Sequence, residues 1–384
     1  MNLREMKTVA HRRNAVAQLT GTALDTIGAY RMDDSVAAVR NCENMIGAAQ
    51  IPMGVAGPLK VKSQKSKAKN YYIPLATTEG ALVASVNRGC KAIGQSGGAQ
   101  TTSERIGATR APVFRVKSIS ERERFLAFIR TNINDIKKVA QSTSHHLTLT
   151  SYEPSCTGKY VFVRFVYDTR DAMGLNMATI ATDKIVAYLK GKTGVACVAL
   201  SGNMCTDKKP AWGNVIRNRG FAVWAEVTIP ERVLGETLKT SAVNAREVWL
   251  AKCMVGSAMA GSMGYNAQFA NVVAALFLAT GQDPAHVVEG SLGMTTADTM
   301  GSDLYVSVYL PDLMVGTVGG GTGLGTQKEA LSLLGLAGGN AGKNSQKLAE
   351  IVGAAVLAGE ISLLASLEEG TLAKAHKALA RGNV

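Results

Sequence analysis

The stretch that decides the fold begins with PVFRVKSISERERFLAFIRTNINDIKKVA at residues 112–140 and ends with VACVAL at residues 195–200. Between them lie HLTLTSYE (146–153), YVFVRFVYD (160–168) and NMATIATDKIVAYLK (176–190). Short runs rich in β-branched and aromatic residues predict strands, whereas apolar residues three and four positions apart predict helices. The predicted order is β-α-β-β-α-β, that of the ferredoxin-like split motif. A unit of this size can be inserted between two parts of a larger domain.

The segments on either side of this unit differ from it in texture. Residues 1–42 have an Ala-rich helical spacing and predict a small helical region. From Glu43, the sequence ENMIGAAQIPMGVAGPL is punctuated by Gly and Pro, which indicates buried loops and short strands. In TTEGALVASVNRGCKAIG (77–94) a threonine precedes an apolar stripe, so a helix is predicted with Glu79 at its N-terminus. We therefore predict four parts, at residues 1–42, 43–111, 112–200 and 201–384.

Composition indicates a globular protein with a strong positive field. The chain has 384 residues, 46% of them hydrophobic, and a formal net charge of +13. A basic surface attracts nucleic acids, but Lys and Arg are spread along the chain, and the densest run, KVKSQKSKAK at 60–69, has no interleaved aromatic residue. Phosphorylated small ligands would use the same field. We expect no nucleic-acid partner, although a basic nucleic-acid binder stays open as an alternative.

Cysteines and apolar segments bear on the compartment. The six cysteines form no CxxC pair, so neither a disulfide framework nor a zinc site is predicted, and a reducing cytoplasm fits best. No apolar stretch follows the charged N-terminus, so no secretory signal is predicted. Residues 253–282 carry no charge, but glycines and amides interrupt them, and the run Val272 to Ala279 is too short to span a bilayer. A buried core helix is predicted there, and no membrane contact.

Three motifs could carry chemistry, and each also has a structural interpretation. GTVGGGTGLG (316–325) offers unobstructed backbone N–H groups to a pyrophosphate, or forms a tight turn; neither a helix context nor GK[ST] is expected after it. DAMGLNM (171–177) opens the second helix of the split unit, where phosphate could bind, or merely caps that helix. NMCTDKKPA (203–211) carries two adjacent lysines, which could face a substrate oxyanion or lie on a surface turn.

Together with ENMIGAAQIPMGVAGPL, TTEGALVASVNRGCKAIG, TRAP (109–112), GSMGYNAQFAN (261–271), GQDPAH (281–286) and LAKAHKAL (372–379), these motifs occur in the order found in 3-hydroxy-3-methylglutaryl-CoA reductases. The resemblance covers roughly residues 40 to 380, and the CTDKKPA and GTVGGGT forms look like the first of the two known classes. It implies an α+β fold, in which a large helix-rich α/β domain carries the substrate and the inserted ferredoxin-like unit binds NADP.

Carried over position by position, the resemblance implies four catalytic residues: Glu79, Lys208, Asp283 and His376. Each reduction step drives negative charge onto a carbonyl oxygen, which a lysine ammonium can stabilise. Asp283 would hold Lys208 charged, and Glu79 would donate a proton. His376 would protonate the departing CoA thiolate, since histidine titrates near neutral pH.

The resemblance also implies the binding residues. The substrate would contact Arg110, Ser201, Asn203, Lys209, Lys252 and Asn271. Coenzyme A would contact Glu43, Ser85, Asn87, Arg88 and Lys91. NADPH would contact Ser144, Asp171, Met173, Gly174, Leu175, Asn176, Met177, Val318, Gly319, Gly320 and Gly321. No metal is expected.

The implied reaction is reduction of (S)-3-hydroxy-3-methylglutaryl-CoA to (R)-mevalonate and CoA with two NADPH, in isoprenoid biosynthesis, by a homodimer or homotetramer with active sites at the subunit interface. Two positions depart from the family pattern. Gln268 stands where many relatives carry histidine, and His145 follows Ser144 where relatives often show arginine near the 2′-phosphate. Two alternatives therefore stay open: an NAD-dependent enzyme that degrades mevalonate, and a non-catalytic CoA- or nucleotide-binding module.

Overall fold

The computed structural model describes residues 5–63 and 67–368. The strands within these ranges are β1 (Met53–Ser63), β2 (Lys69–Ala76), β3 (Ala99–Arg110), β4 (Val113–Arg115), β5 (Thr148–Thr157), β6 (Tyr160–Asp168), β7 (Ala196–Ala199), β8 (Arg219–Ile229), β9 (Met294–Met300) and β10 (Asp303–Leu313). The helices are α1 (Val9–Thr20), α2 (Asp25–Gly28), α3 (Asp34–Arg40), α4 (Leu82–Gln95), α5 (Ile119–Thr131), α6 (Ile133–Gln141), α7 (Leu175–Thr193), α8 (Trp212–Arg217), α9 (Glu231–Val233), α10 (Ala242–Trp249), α11 (Ser257–Met259), α12 (Phe269–Thr280), α13 (Val287–Gly290), α14 (Gly325–Leu333) and α15 (Lys343–Glu368).

Strand β3 links two sheet regions. Its residues 100–107 pair antiparallel with β8, whereas its last residues, 108–110, pair with β6. The described strands run in the order β7-β4-β6-β3-β8-β10-β9, while β1 pairs with β2 and β3, and β5 pairs with β6. At the transition, Gly107 has φ 114°, and a Cβ there would lie 2.3 Å from the carbonyl oxygen of Tyr167.

The smaller region has the predicted β-α-β-β-α-β order. Strands β7, β4, β6 and β5 are neighbours in that order and pair antiparallel, with α5, α6 and α7 in the crossovers. This is the ferredoxin-like arrangement. The first helix of the predicted order is divided into two helices, α5 and α6. The helix is interrupted at Asn132, whose side-chain amide donates to the Phe128 carbonyl at 2.8 Å. The hydrophobic core of this smaller region includes Phe114, Phe125 and Phe165.

The larger region is built around α15, most of whose residues are buried. This helix packs against α4, α12 and strands β3, β8 and β10. Its length and composition would suffice to cross a membrane, but 94% of its most apolar window is buried inside the described chain. Together the two regions confirm the predicted α+β class. The predicted core helix at residues 272–279 is α12.

Two local predictions were wrong. Helix α4 begins at Leu82, after Ala81 in the left-handed region, so Glu79 lies in the preceding turn and not at the helix start. There its backbone N–H donates to the Thr77 hydroxyl at 2.9 Å. A helix does follow the glycine cluster, since a 3-10 turn at Gly320–Gly323 leads directly into α14.

Candidate active site

The loop that carries Lys208 is held in an unusual backbone conformation. Asn203, Thr206 and Lys208 have φ values of 62°, 56° and 54°, in the left-handed region that non-glycine residues seldom occupy. Buried groups hold the loop: the Thr109 hydroxyl donates to the Cys205 carbonyl at 2.9 Å, and the Lys208 N–H donates to Glu289 Oε1 at 3.2 Å. Such conformations persist where surrounding structure over-determines them, often at functional sites.

Lys208 and Asp283 form an ion pair. The Nζ–Oδ2 distance is 2.7 Å, and both side chains are about a third exposed, at 38% and 32%. Asp283 also accepts from the Ala285 N–H at 3.0 Å. Burial opposes ionisation of Asp283, but hydrogen bonds from Lys208 and Ala285, with the nearby His286, outweigh it and lower the pKa of Asp283. The carboxylate therefore stays ionised beside the ammonium group.

Glu79 pairs with a different partner. Its Oε1 accepts from the Asn271 side-chain amide at 3.2 Å. Asn271 lies in the first turn of α12, and Asp283 follows the end of the same helix. Among the described residues Lys208 has no salt bridge to Glu79. The single chain thus holds two separate pairs at opposite ends of α12, about 18 Å apart along a helix of 12 residues, and it does not bring Glu79 and Lys208 together. His376 lies outside the described residues.

A buried charge cluster lies beneath the Lys208 loop. Arg219, fully buried on β8, contacts Asp207 and Glu289, each at 2.7 Å, and Asp312 at 3.9 Å. Burial opposes ionisation of Arg219, but the three carboxylates outweigh it and raise its pKa. Complete burial raises the pKa of Asp312 to about 7.

Asp207, His286 and Glu289 have side chains of the kinds that bind metals, and their ligand atoms lie within 4.8 Å of one another. The Arg219 guanidinium already contacts Asp207 and Glu289, and it therefore supplies the positive charge of this cluster. The sequence reasoning missed Arg219 and Glu289, for which the signal was weak: single charges beside apolar runs.

The two segments predicted to hold the cofactor are adjacent. The Asp171 carbonyl accepts from the N–H groups of Thr317 and Val318 at 2.8 and 3.3 Å, and Ala172 forms a parallel bridge with Val318. A Cβ on Gly316 would lie 2.5 Å from the Met173 nitrogen, which explains the glycine. Ser144 joins this region through a 3.8 Å contact with the Met177 sulfur.

The Asp171 side chain, however, serves the protein itself. Its carboxylate accepts from the N–H groups of Asn340, Gly342 and Ser345 at 2.6, 2.7 and 3.0 Å, at the start of α15. Burial opposes its ionisation, but these bonds outweigh it and lower the pKa of Asp171. Helix α7 instead begins after Gly174, without a side-chain cap. Of the two interpretations of this segment, the helix cap by Asp171 or Asn176 is absent, and the first N–H groups of α7, from Leu175 onward, have no side-chain partner from a cap.

The glycine cluster also meets the turn that carries Asp283. Gln282 is buried and forms two hydrogen bonds with Gly316, donating to its carbonyl at 2.9 Å and accepting from its N–H at 2.8 Å. A Cβ on Gly281 would lie 2.4 Å from the Gly321 oxygen. Around Gly319 and Gly320 a Cβ would meet nothing within 4 Å. The cluster thus has one face packed on the Asp283 turn and one open.

The predicted substrate residues differ in their contacts. Arg110 contacts Asp207 at 3.6 Å, and the Ser201 hydroxyl lies 3.3 Å from the Cys205 sulfur. The Lys209 ammonium reaches only the Asp207 carbonyl, at 3.5 Å. Asn203, Lys209 and Lys252 are exposed.

The predicted CoA residues lie mainly on α4. The Ser85 hydroxyl donates to the Ser362 hydroxyl of α15 at 3.0 Å. The Arg88 guanidinium donates to the Ser362 carbonyl at 2.6 Å. Asn87 accepts from the Gly57 N–H at 2.9 Å. Gln268, one of the departures, donates to the Gly359 carbonyl at 2.5 Å and so holds α15. Glu43 and Lys91 are exposed.

Comparison with known proteins identifies the family. A model of hydroxymethylglutaryl-coenzyme A reductase matches residues 8–381. The 3-hydroxy-3-methylglutaryl-coenzyme A reductase of Methanothermobacter thermautotrophicus is 48% identical over 98% of this chain and 94% of its own. The reductase of Haloferax volcanii is 49% identical over 96% of this chain and 92% of its own length. The class II reductase of Streptococcus pneumoniae bound to NADPH has a TM-score of 0.70 at 19% identity, over 94% of this chain and 97% of its own, and so shares the fold. The chain therefore belongs to the hydroxymethylglutaryl-coenzyme A reductase family.

Proposed function

We propose that this chain reduces (S)-3-hydroxy-3-methylglutaryl-CoA to (R)-mevalonate and CoA, consuming two NADPH and two protons. The observation that carries the proposal is the Lys208–Asp283 pair, at 2.7 Å, in a loop held by buried groups. Reduction of a thioester places negative charge on the same oxygen twice, once in the thiohemiacetal and once in the alcohol. A fixed ammonium group beside that oxygen lowers both barriers.

Each polar residue then has a role in moving protons or charge. Lys208 stabilises the oxyanion, and Asp283 keeps the ammonium group charged and aimed. Glu79, oriented by Asn271 at 3.2 Å, supplies a proton to the reacting oxygen from a second subunit, because Glu79 and Lys208 of one chain lie at opposite ends of α12. His376 protonates the CoA thiolate once the thiohemiacetal collapses.

NADPH would supply the hydride, and the residues present fit such a group. The open face of Gly319 and Gly320, where a Cβ would meet nothing within 4 Å, and the uncapped start of α7 both offer backbone N–H groups to phosphate or carboxamide. Ser144, Met173, Met177 and Val318 would line the same region. NADP preference and membership of the first class are supported by the CTDKKPA and GTVGGGT forms, and the Streptococcus pneumoniae reductase was solved with NADPH.

Assembly and location belong to the same proposal. A homodimer or homotetramer is part of the proposal because the Glu79–Asn271 and Lys208–Asp283 pairs lie at opposite ends of α12 in the single chain, so a subunit interface is needed for both pairs to reach one substrate. The active site would lie at the subunit interface. The cysteines of the described chain are all free, which supports a reducing cytoplasm. The chemistry assigned to Lys208 requires no metal.

The test is the loss of NADPH absorbance, with NADH in parallel, when 3-hydroxy-3-methylglutaryl-CoA is added. We expect two NADPH oxidised per thioester, and Lys208→Ala should lower kcat by about 100- to 1000-fold. Lys239→Ala is a matched control, because Lys239 also has a left-handed backbone, φ 60°, but is exposed away from the site.

The other outcomes are equally informative. Preference for NADH would favour the oxidative, mevalonate-degrading enzyme. No oxidation of either cofactor, with CoA binding retained, would favour a non-catalytic binding module. Equal activity of the Lys208 variant and the wild type would remove the lysine from the mechanism.

A further inference from the structure

A buried acid–histidine pair lies directly behind the Lys208–Asp283 ion pair. His286 Nδ1 is 2.5 Å from Glu289 Oε1, and neither side chain has measurable exposure. Both residues follow Asp283 in the same turn and short helix α13. The roles proposed above for Lys208, Asp283, Glu79 and His376 make no use of this pair.

Glu289 joins the pair to the loop of Lys208. Its Oε1 is the one carboxylate oxygen that receives the Lys208 N–H (3.2 Å), the Arg219 guanidinium (2.7 Å) and the His286 ring. Lys208 sits at φ 54°, a conformation with an intrinsic energetic cost for any residue that carries a Cβ atom. A buried, charged acceptor at its N–H offsets that cost.

His286 joins the pair to Asp283. Its second nitrogen, Nε2, is buried, has no hydrogen-bond partner in the described chain and lies 3.8 Å from Asp283 Oδ2, the oxygen that contacts Lys208. An unpartnered buried nitrogen is costly. We therefore attribute the orientation of the His286 ring to its position beside Asp283 and not to its packing.

We propose that Glu289 and His286 are positioning residues for the reduction: Glu289 fixes the backbone of Lys208, and His286 confines the Asp283 carboxylate against the lysine. This inference rests on the proposed function. Neither residue touches the reacting atoms, and both act through the catalytic pair. Small displacements of such a pair cost large factors in rate.

The charges around His286 set the expected pH behaviour. It faces Glu289 from its own turn, Asp283 from the residues before it, and Asp207 at 3.9 Å from the lysine loop, while Arg219 of β8 reaches Glu289. The neighbouring His286 is one cause of the lowered pKa of Asp283. Its removal should therefore move the acid limb of the rate profile to higher pH.

The experiment compares His286→Gln and Glu289→Gln with Glu350→Gln. All three change a buried polar side chain, but Glu350 of α15 bonds Ser63, Ser103 and Lys347 and contacts neither Lys208 nor Asp283 within the described residues. We expect kcat to fall about 10- to 100-fold in the first two, with a smaller change in the KM for 3-hydroxy-3-methylglutaryl-CoA. Glu350→Gln should keep the wild-type kcat, and only His286→Gln should shift the acid limb.

Active enzyme is counted by binding of the fluorescent cofactor NADPH, so that misfolded protein does not lower the apparent kcat. If both variants match the wild type, or if Glu350→Gln loses as much kcat as they do, the pair serves stability alone and the inference is wrong. An inactive wild type would instead overturn the proposed function.

Discussion

Lys208 is held by a residue far from it in the chain, whereas Asp283 is held within its own turn. The Lys208 backbone is fixed by Glu289, and Asp283 is fixed by Ala285 at the start of its own turn. Arg219 then neutralises the carboxylates below, since an uncompensated buried charge would be strongly destabilising. The reacting face is thus half-exposed, whereas the groups that position it are buried.

Replacing Asp283 by Asn should separate its catalytic role from its role in stability. Without the carboxylate, Lys208 loses its 2.7 Å partner, and we expect kcat to fall about 100-fold. Because folding lowers the pKa of Asp283 below its ordinary 3.8, the wild type binds fewer protons than its unfolded chain. Its stability advantage over Asp283→Asn is therefore full above pH 4 and is lost as the pH falls through the lowered pKa.

Urea unfolding of both proteins between pH 3 and pH 7 measures this difference. The exposed Asp298, which pairs with Arg246 at 3.7 Å, provides the control variant Asp298→Asn. A stability difference that grows towards acid pH would contradict the assignment.

The sequence could identify the reactive residues better than those that support them. Lys208 and Asp283 stand in short motifs, TDKKP and GQDP, that carry the family resemblance. Arg219 and Glu289 meet only because β8 and α13 converge in space, and no local spacing encodes that. Asp171 shows the opposite case: its position suggested a cap for α7, but the fold brings the start of α15 to it.

Helices α4 and α15 pack closely against each other, and Gly89 of α4 permits the approach. A Cβ on Gly89 would lie 1.9 Å from the Ala358 carbonyl oxygen. We expect Gly89→Ala to push the helices apart and to destabilise the protein by at least about 1–3 kcal/mol, measured by denaturant unfolding. Because Ser85 and Arg88 bond to Ser362 across the same contact, CoA binding should weaken as well.

Gly94→Ala is the control within the same helix. A Cβ at Gly94 would meet nothing within 4 Å, and alanine favours helix over glycine by about 0.5–1 kcal/mol. This variant should be slightly more stable than the wild type. Equal effects of the two substitutions would show that the helices separate freely.

Helices and strands were predictable where a single hydrophobic period dominated the sequence. The split unit was recovered in order because its strands and helices are short and alternate clearly. The start of α4 was misplaced by the rule that a threonine followed by an acidic residue begins a helix, since Thr77 bonds the Glu79 N–H in a turn instead. Helix α14 was missed because glycines at its start carry no helical signal.

At the scale of the whole molecule, the two hydrophobic cores are joined by covalent and polar links. Strand β3 belongs to both sheet regions, and Arg164 of β6 donates to the Asn218 carbonyl beside β8 at 2.8 Å. The Gln282–Gly316 bonds tie the Asp283 turn to the glycine cluster, which in turn bonds Asp171. The Lys208–Asp283 pair and the proposed cofactor segments therefore depend on both cores keeping one arrangement.

Gly107 is the residue where this coupling can be tested. Its φ is 114°, and a Cβ there would lie 2.3 Å from the Tyr167 carbonyl oxygen, so alanine requires a shift of β3 against β6. Gly158, at φ 52° in the β5–β6 turn, would place a Cβ with nothing within 4 Å, so Gly158→Ala carries only the backbone cost of about 1 kcal/mol. We expect Gly107→Ala to lower hydrogen-exchange protection in both β6 and β8, and Gly158→Ala to affect the β5–β6 turn alone. Loss of protection in β6 with β8 unchanged would mean that the two cores unfold independently, and that the continuity of β3 does not couple them.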